Sequence, residues 1–447
     1  MMIGTLLRLG RRELHTIISR ETIKPSSPTP SSLHTYNLSS LDQLIDQKYV
    51  SLILFYQNNG NSNLSAHDKA REIKKSLSQS LTRYYPFAGR LCTPTTTYVQ
   101  CKDEGVVCVE AQNDRELKTF QHISEQDSNL DQLFPDSLDG TNIVGVQLNH
   151  FACGGMGVAV SMSHIIGDGC TLGSFVNYWA SVTRYGSAGH EEVLPLNPHF
   201  ICSPTTNSIR PEVKVINHGY ANLIARNFVF PNTKLSELKN KVIALASSGP
   251  TPPIKNPTRV EVLTSLLYKT AMGAATKKSG CFKPSYLFMP MDIRNKFVEK
   301  LPQTTVGNLG SVMVVPTRHT TASSLHVIVA KIRDAKSQLE GIQSVQHAAD
   351  NFKSLLTKLG NEESEDIAKR SYVCSSLCGF PYNKVDFGWG KPVGATLALK
   401  SEDKIGFVLK DTPDGDGIEA QVILEKEDME IFENDNEMLS FCQINQL

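Results

Sequence analysis

The chain has no run of about 18 apolar residues, the length a bilayer demands of a helix, so none of its 447 residues reads as a membrane span. Nor does it carry an excess of charge: 45 Lys and Arg face 45 Asp and Glu. Without a basic tract to neutralise phosphates, nucleic acid is excluded as a partner. No Cys-x-x-Cys pair occurs among the ten cysteines, of which Cys374 and Cys378 lie nearest each other. Scattered thiols of this kind read as reduced, mostly buried side chains in a reducing compartment.

Several common chemistries are missing too. A serine hydrolase would need Gly-x-Ser-x-Gly, and Gly186-Ser187-Ala188-Gly189 has the wrong spacing. No His-Glu-x-x-His is present for zinc. Gly390-Lys391 runs into Pro392 instead of a Ser or Thr, so it is no phosphate loop. Asp414-Gly415-Asp416-Gly417 lacks the further ligands of a calcium loop. Asp386-Phe387-Gly388 has no His-Arg-Asp partner and is no kinase triplet. Internal repeats and heptads are absent.

What is present is a soluble globular composition, 40% hydrophobic and 20% charged, in a chain long enough for two cores. Its most informative stretch is Ser163-His164-Ile165-Ile166-Gly167-Asp168-Gly169. Before it, Val158, Val160 and Met162 alternate with Ala159, Ser161 and Ser163, the period of a half-buried strand. Gly167 and Gly169 interrupt any helix through Asp168. A new helix is expected with Thr171 as its cap and Leu172, Phe175, Val176 and Trp179 on its apolar stripe. His164 then projects from a strand–turn–helix junction.

Elsewhere the periodicity predicts a helix from Ser65 to before Pro86 and a hairpin over 143–163. Residues 184–215, rich in Pro and Gly, read as a crossover between domains. A strand at Asn227–Phe230 precedes a helix with Leu235, Leu238, Val242 and Leu245 on its stripe. Thr258 and Glu261 form a capping box opening another helix, and strands flank Gly415-Asp416-Gly417. Residues 1–20 carry Arg8, Arg11, Arg12 and Arg20 against Glu13, a composition with transit-peptide character. The lack of a Ser-rich stretch favours a disordered or alternative-start extension instead.

Paired with Asp386-Phe387-Gly388-Trp389-Gly390-Lys391-Pro392 downstream, the His164 motif resembles the signature of the plant BAHD acyl-CoA-dependent acyltransferases. Collinear blocks extend the resemblance over nearly the whole chain. They include Leu41-Asp42-Gln43, Tyr85-Pro86-Phe87-Ala88-Gly89-Arg90, Asp292-Ile293-Arg294 and Gly307-Asn308. Ser26 to Pro30, Phe151 to Gly155 and Pro257 to Lys269 resemble the branch that contains vinorine synthase and the alkaloid O-acetyltransferases.

This resemblance implies an α/β fold of two similar domains of mixed sheet with flanking helices, like chloramphenicol acetyltransferase, with an active-site channel between them. The expected organisation is an extension over 1–17, an N-terminal domain over 18–185, a crossover over 186–215 and a C-terminal domain over 216–447. The implied chemistry is acyl transfer to a small-molecule acceptor from an acyl-CoA co-substrate, acetyl-CoA in that branch. No metal or permanent cofactor is expected, and the protein would be monomeric. Its location would be the cytoplasm, or a mitochondrion or plastid if residues 1–17 are a targeting segment.

Residue by residue, the resemblance makes His164 the general base, a role that imidazole suits at neutral pH. Asp168 would pair structurally with Arg294, or else orient His164 directly. Asp386, Gly388, Trp389 and Gly390 would shape a supporting turn. Thr258 and Arg259, at a helix N-terminus, would contact coenzyme A phosphate, or Thr258 would merely cap its helix. Ser375 and Ser376 stand where a hydroxyl could assist the oxyanion. Leu377 and Gly379 replace the Trp and Arg of many relatives, which favours a bulky or apolar acceptor. Asp42 would line the acceptor end or cap a helix. Two other readings remain: an N-acyltransferase acting on an amine, and a catalytically silent binding or regulatory protein.

Overall fold

The computed structural model describes residues 15–58, 64–92, 98–121, 128–186, 197–201, 222–248, 253–361, 370–398 and 405–443. Two six-stranded sheets organise it. The first is built from β1 (His15–Ile23), β2 (Tyr49–Tyr56), β3 (Val106–Asn113), β4 (Val144–Phe151) and β5 (Met156–Ser163). The second uses β6 (Leu223–Pro231), β7 (Ser285–Asp292), β8 (Gly310–Thr317) and β9 (Ser371–Ser376). The chain then returns to the first sheet as β10 (Gly394–Ala398) before closing the second with β11 (Ile405–Asp411) and β12 (Gly417–Glu425). The strand orders are β1-β3-β4-β5-β2-β10 and β6-β12-β11-β9-β7-β8. Both sheets are mixed: β3 and β4 are parallel in the first, β7, β9 and β11 in the second.

Helices α1 (Ala66–Arg83) and α2 (Gly169–Tyr185) cover the first sheet. Ser65 caps α1 in a reciprocal box with Asp68, and its stripe of Ile73, Leu77 and Leu81 is fully buried. On the second sheet lie α3 (Asn232–Ser247), α4 (Arg259–Ser279) and α5 (Leu325–Ser337). In α3, Leu245 is 36% exposed and Ala246 takes the place expected of it.

Three expectations need correction. The hairpin strands β4 and β5 are buried on both faces. Val158, Val160 and Met162 join the main core, while Ala159 packs with Ile53, Phe55 and Phe151 in a second cluster. Ser161 tolerates burial because its hydroxyl bonds that of Ser51 at 2.8 Å. Strand β1 begins at His15, inside the stretch read as an extension, because its backbone pairs with β3 as far as Asn113. Residues 1–14 lie outside the described residues, as do 187–196 and 202–215 of the crossover.

The third correction concerns the domain boundary. Residues 381–398 do not stay with the C-terminal domain: β10 adds to the first sheet beside β2. Tyr382, Val385, Phe387 and Trp389 enter the first core, where Phe387 meets Trp179 at 5.2 Å and Tyr56 at 5.8 Å between ring centroids. Burying those aromatic rings outweighs continuity along the chain.

Candidate active site

His164 is the first residue beyond β5. Its amide donates to the Lys48 carbonyl at 2.7 Å, prolonging the β2–β5 pairing by one residue and fixing where the imidazole starts. The ring is half-buried, with Nδ1 2.9 Å from Oδ1 of Asn308 in the other domain.

The Asn308 amide has only one sensible orientation. Its Nδ2 donates to Asp42 Oδ1 at 2.9 Å, to the His164 carbonyl at 2.7 Å and to the Ile165 carbonyl at 3.3 Å. Three acceptors demand the NH2 group, so the carbonyl oxygen faces the ring. An amide oxygen only accepts, so Nδ1 of His164 must carry the proton and Nε2 keeps its lone pair. Burial, joined by the nearby Lys48 charge, lowers the His164 pKa from 6.5, against smaller raising effects that include Asp168 and Asn308. The neutral imidazole is therefore the form held at pH 7.

Asp168 does not reach His164. Its carboxylate caps α2 by accepting the Thr171 amide at 2.9 Å, so Asp168 is the cap and Thr171 is not. Arg294 donates to both its oxygens, at 2.9 and 3.0 Å, and the Leu309 amide adds a bond of 3.0 Å. Arg294 is 0% exposed and also binds Asp292 at 2.8 Å and the carbonyls of Thr305 and Gly307. A guanidinium buried so completely needs these anions and carbonyls, which explains why Asp168 is engaged.

Asp42 differs from both sequence readings. It is 1% exposed, so it lines no channel, and it starts a short 3-10 turn instead of capping a helix. Oδ2 accepts the amide and hydroxyl of Ser39 at 2.9 and 2.6 Å; Oδ1 accepts the Asn308 amide at 2.6 Å besides Nδ2. Burial raises its pKa to about 6, against these donors. Asp42 and Asp168 thus clasp Gly307–Leu309 from two sides. Gly307, at φ 138°, provides the backbone freedom that this strap requires.

The second motif lies at the far end of α2. Asp386 Oδ1 accepts the amides of Gly388 and Gly390 at 2.8 and 2.9 Å, and Oδ2 meets Arg184 at 2.6 Å. Both glycines stand at φ 111°, a conformation that side chains disfavour. Trp389 is buried against Phe387 and Tyr56. Since α2 spans 17 residues at ~1.5 Å each, roughly 25 Å separates this turn from His164.

The remaining candidates gather near Asp411, at the end of β11. Thr258 accepts the Glu261 amide as the cap of α4. Arg259 holds Asn232 at 2.8 Å and Asp411 at 2.9 Å. Asp411 also accepts the Gly379 amide at 2.7 Å. Ser375 and Ser376 end β9, both half-buried, and Leu377 packs against the first domain's core. Sequence reasoning missed Asn308 as a contact of His164; its position after Gly307 was visible, but nothing along the chain signalled a bond spanning 144 residues.

Among the described residues, no cluster of three or more His, Cys, Asp or Glu side chains could hold a metal ion, and no helix is long and apolar enough to cross a membrane. All the described cysteines are free, but Cys153 and Cys281 are exposed where burial was expected.

Comparison with known proteins agrees with this architecture. The Transferase family model matches residues 15–439. Deacetylvindoline O-acetyltransferase of Catharanthus roseus is 33% identical, over 95% of this chain and 97% of its own. A 17,18-epoxy-17-hydroxycur-19-ene N-malonyltransferase of Strychnos nux-vomica is 32% identical, over 96% and 90%. The crystal structure of vinorine synthase superposes with a TM-score of 0.78 at 27% identity, covering 96% of this chain and 99% of that one. The chain belongs to the Transferase family of BAHD acyl-CoA-dependent acyltransferases, with the two-domain fold of chloramphenicol acetyltransferase.

Proposed function

We propose that the protein transfers acetyl from acetyl-CoA to a hydroxyl of an alkaloid or related plant specialised metabolite, with His164 as general base in a ternary complex. The observation that carries this reading is the imidazole held through Nδ1 by the Asn308 oxygen, which leaves Nε2 as the nitrogen that can accept a proton. Nε2 takes the acceptor's hydroxyl proton as the oxygen attacks the thioester carbonyl. The C–O bond forms, the carbonyl electrons move to oxygen, and collapse of the tetrahedral adduct breaks the C–S bond. The imidazolium returns its proton to the departing thiolate, so no net proton is gained or lost. Ser375 and Ser376 are the candidate donors to the oxyanion. Coenzyme A phosphate would meet the N-terminus of α4, where Arg259 is already shared with Asp411. Asp168 and Arg294 hold the strap, and the Asp386 turn braces α2.

The O-acetyl assignment follows the deacetylvindoline relative. The N-malonyl relative supports a second reading, transfer to an amine by the same base. Leu377 and Gly379 favour a bulky or apolar acceptor. A monomer working in the cytoplasm belongs to the proposal; targeting to a mitochondrion or plastid by residues 1–17 is its alternative.

The test is thiol release from acetyl-CoA against a panel of hydroxylated and amine alkaloids, wild type beside His164→Ala. His164-dependent release with an acetyl mass gain on an alcohol supports the proposal. A gain on an amine alone favours the second reading, and activity only with malonyl-CoA replaces the donor. Equal turnover by His164→Ala removes the base.

A further inference from the structure

Asp42 is a buried carboxylate that acyl transfer, as set out above, does not use. It lies in the first domain and its Oδ1 accepts two hydrogen bonds from Asn308, in the second. Its other oxygen is saturated by Ser39. All four of these contacts donate to it, and Ser39 Oγ already accepts from Asp42's own amide at 3.2 Å. The geometry suits the ionised form. Asn308 Nδ2 thus faces a carboxylate, while its Oδ1 faces the protonated Nδ1 of His164 at 2.9 Å. Asp168, the other carboxylate close by, is bound to Arg294, whose charge offsets it.

We infer that Asp42 is a positioning residue for the transfer: it holds the Asn308 amide against His164 and, through that amide, stabilises the imidazolium formed when the acceptor gives up its proton. This rests on the reading of His164 as the base. The physical reason is polarisation. A carboxylate at the NH2 end of an amide draws its dipole so that the oxygen becomes a stronger acceptor for Nδ1–H. In a dry setting the effect is felt most when the ring becomes cationic. Two carbonyls also hold the Asn308 NH2, so losing Asp42 weakens the support without turning the amide over.

The experiment compares Asp42→Asn, Ser39→Ala, Asn308→Ala and His164→Ala. Ser39→Ala removes one of the donors that hold Asp42 ionised and serves as a graded variant of the same path. Two readouts are taken: the pKa of His164 by NMR on histidine-labelled protein, and thiol release from acetyl-CoA with water as the acceptor. General-base catalysis contributes roughly 10²–10⁴-fold, so weakening its support should lower kcat by roughly tenfold. Asp42→Asn should show that loss with KM for acetyl-CoA unchanged, together with a downward shift of the His164 pKa. Ser39→Ala, by weakening the ionised form of Asp42, should give both changes in smaller measure.

If Asp42→Asn keeps the wild-type His164 pKa and kcat, the inference is overturned, whatever its melting temperature. If that variant does not fold, Asn308→Ala decides: a wild-type His164 pKa and kcat there also overturns it, because the path runs through that amide. Unchanged turnover in His164→Ala is a separate failure, that of the base itself. Should hydrolysis be too slow to follow, the pKa comparison alone settles the matter.

Discussion

Helix α2 ends in an ion pair at each extremity, and the two have little in common. At its N-terminus Asp168 meets Arg294, wholly buried and wrapped by a second carboxylate and two carbonyls. At its C-terminus Arg184 meets Asp386 at 2.6 Å, with the Arg184 side chain 44% exposed. The first pair joins the two domains and shapes the strap that touches His164. The second closes a glycine turn and directs Phe387 and Trp389 into the first core. Neither aspartate touches the imidazole. Along the chain the first motif reads as the one that carries the base and the second as a supporting turn; in the structure Asp168 braces the strap beside His164, and Asp386 fastens a helix end roughly 25 Å away.

The largest effect should follow removal of the base. His164→Ala is expected to cost roughly 10²–10⁴-fold in kcat at an unchanged melting temperature, read by thiol release and calorimetry. Retained turnover would abolish the distinction between the two ends.

Asp168→Asn comes next. Breaking a buried pair costs about 3–5 kcal/mol when one charge is stranded. Asp292 still faces Arg294, and Asn can still cap α2, so the lower end of that range is expected. Melting temperature and rate should fall together; a rate loss alone would mean that Asp168 acts directly on His164.

Asp386→Asn should do less. An exposed pair is worth about 0–1 kcal/mol, and the turn amides keep one acceptor. Chemical denaturation should show a loss of about 1 kcal/mol, with kcat per folded molecule unchanged. A kcat loss beyond the unfolded fraction would bring this turn into the active site.

The smallest effect concerns pH. A base works when neutral, and the lowered His164 pKa keeps it neutral as pH falls toward 6.5. The acid limb of kcat/KM should therefore lie below 6.5, and Lys48→Met should move it upward by removing a nearby positive charge. A limb at or above 6.5 in the wild type would contradict the buried, neutral ring.

Local patterns made much of this legible. The start of α1 at Ser65, the capping box of α4 and the hairpin before His164 follow from spacing alone, because each is decided within a few residues. The two signature motifs and the pairing of Asp168 with Arg294 came from family resemblance, without which a lone His and Asp say little. What stayed hidden depends on contacts between distant parts of the chain. Asn308 reaches His164 across 144 residues and Asp42 reaches Asn308 across 266. The departure of β10 to the first sheet was equally invisible, since the aromatic pocket of Tyr56 and Trp179 that receives Phe387 is assembled from distant parts of the chain. Buried serines made β5 look half-exposed, because a polar residue in the sequence does not announce its hydrogen-bond partner.

The most direct measurement is the tautomer of His164 at pH 7.5, read from nitrogen chemical shifts of histidine-labelled protein and assigned by comparison with His164→Ala. The account predicts a neutral ring protonated at Nδ1, with Nε2 bare and ready to accept a proton. A ring protonated at Nε2, or one carrying both protons, would leave no base at the acceptor and would contradict it.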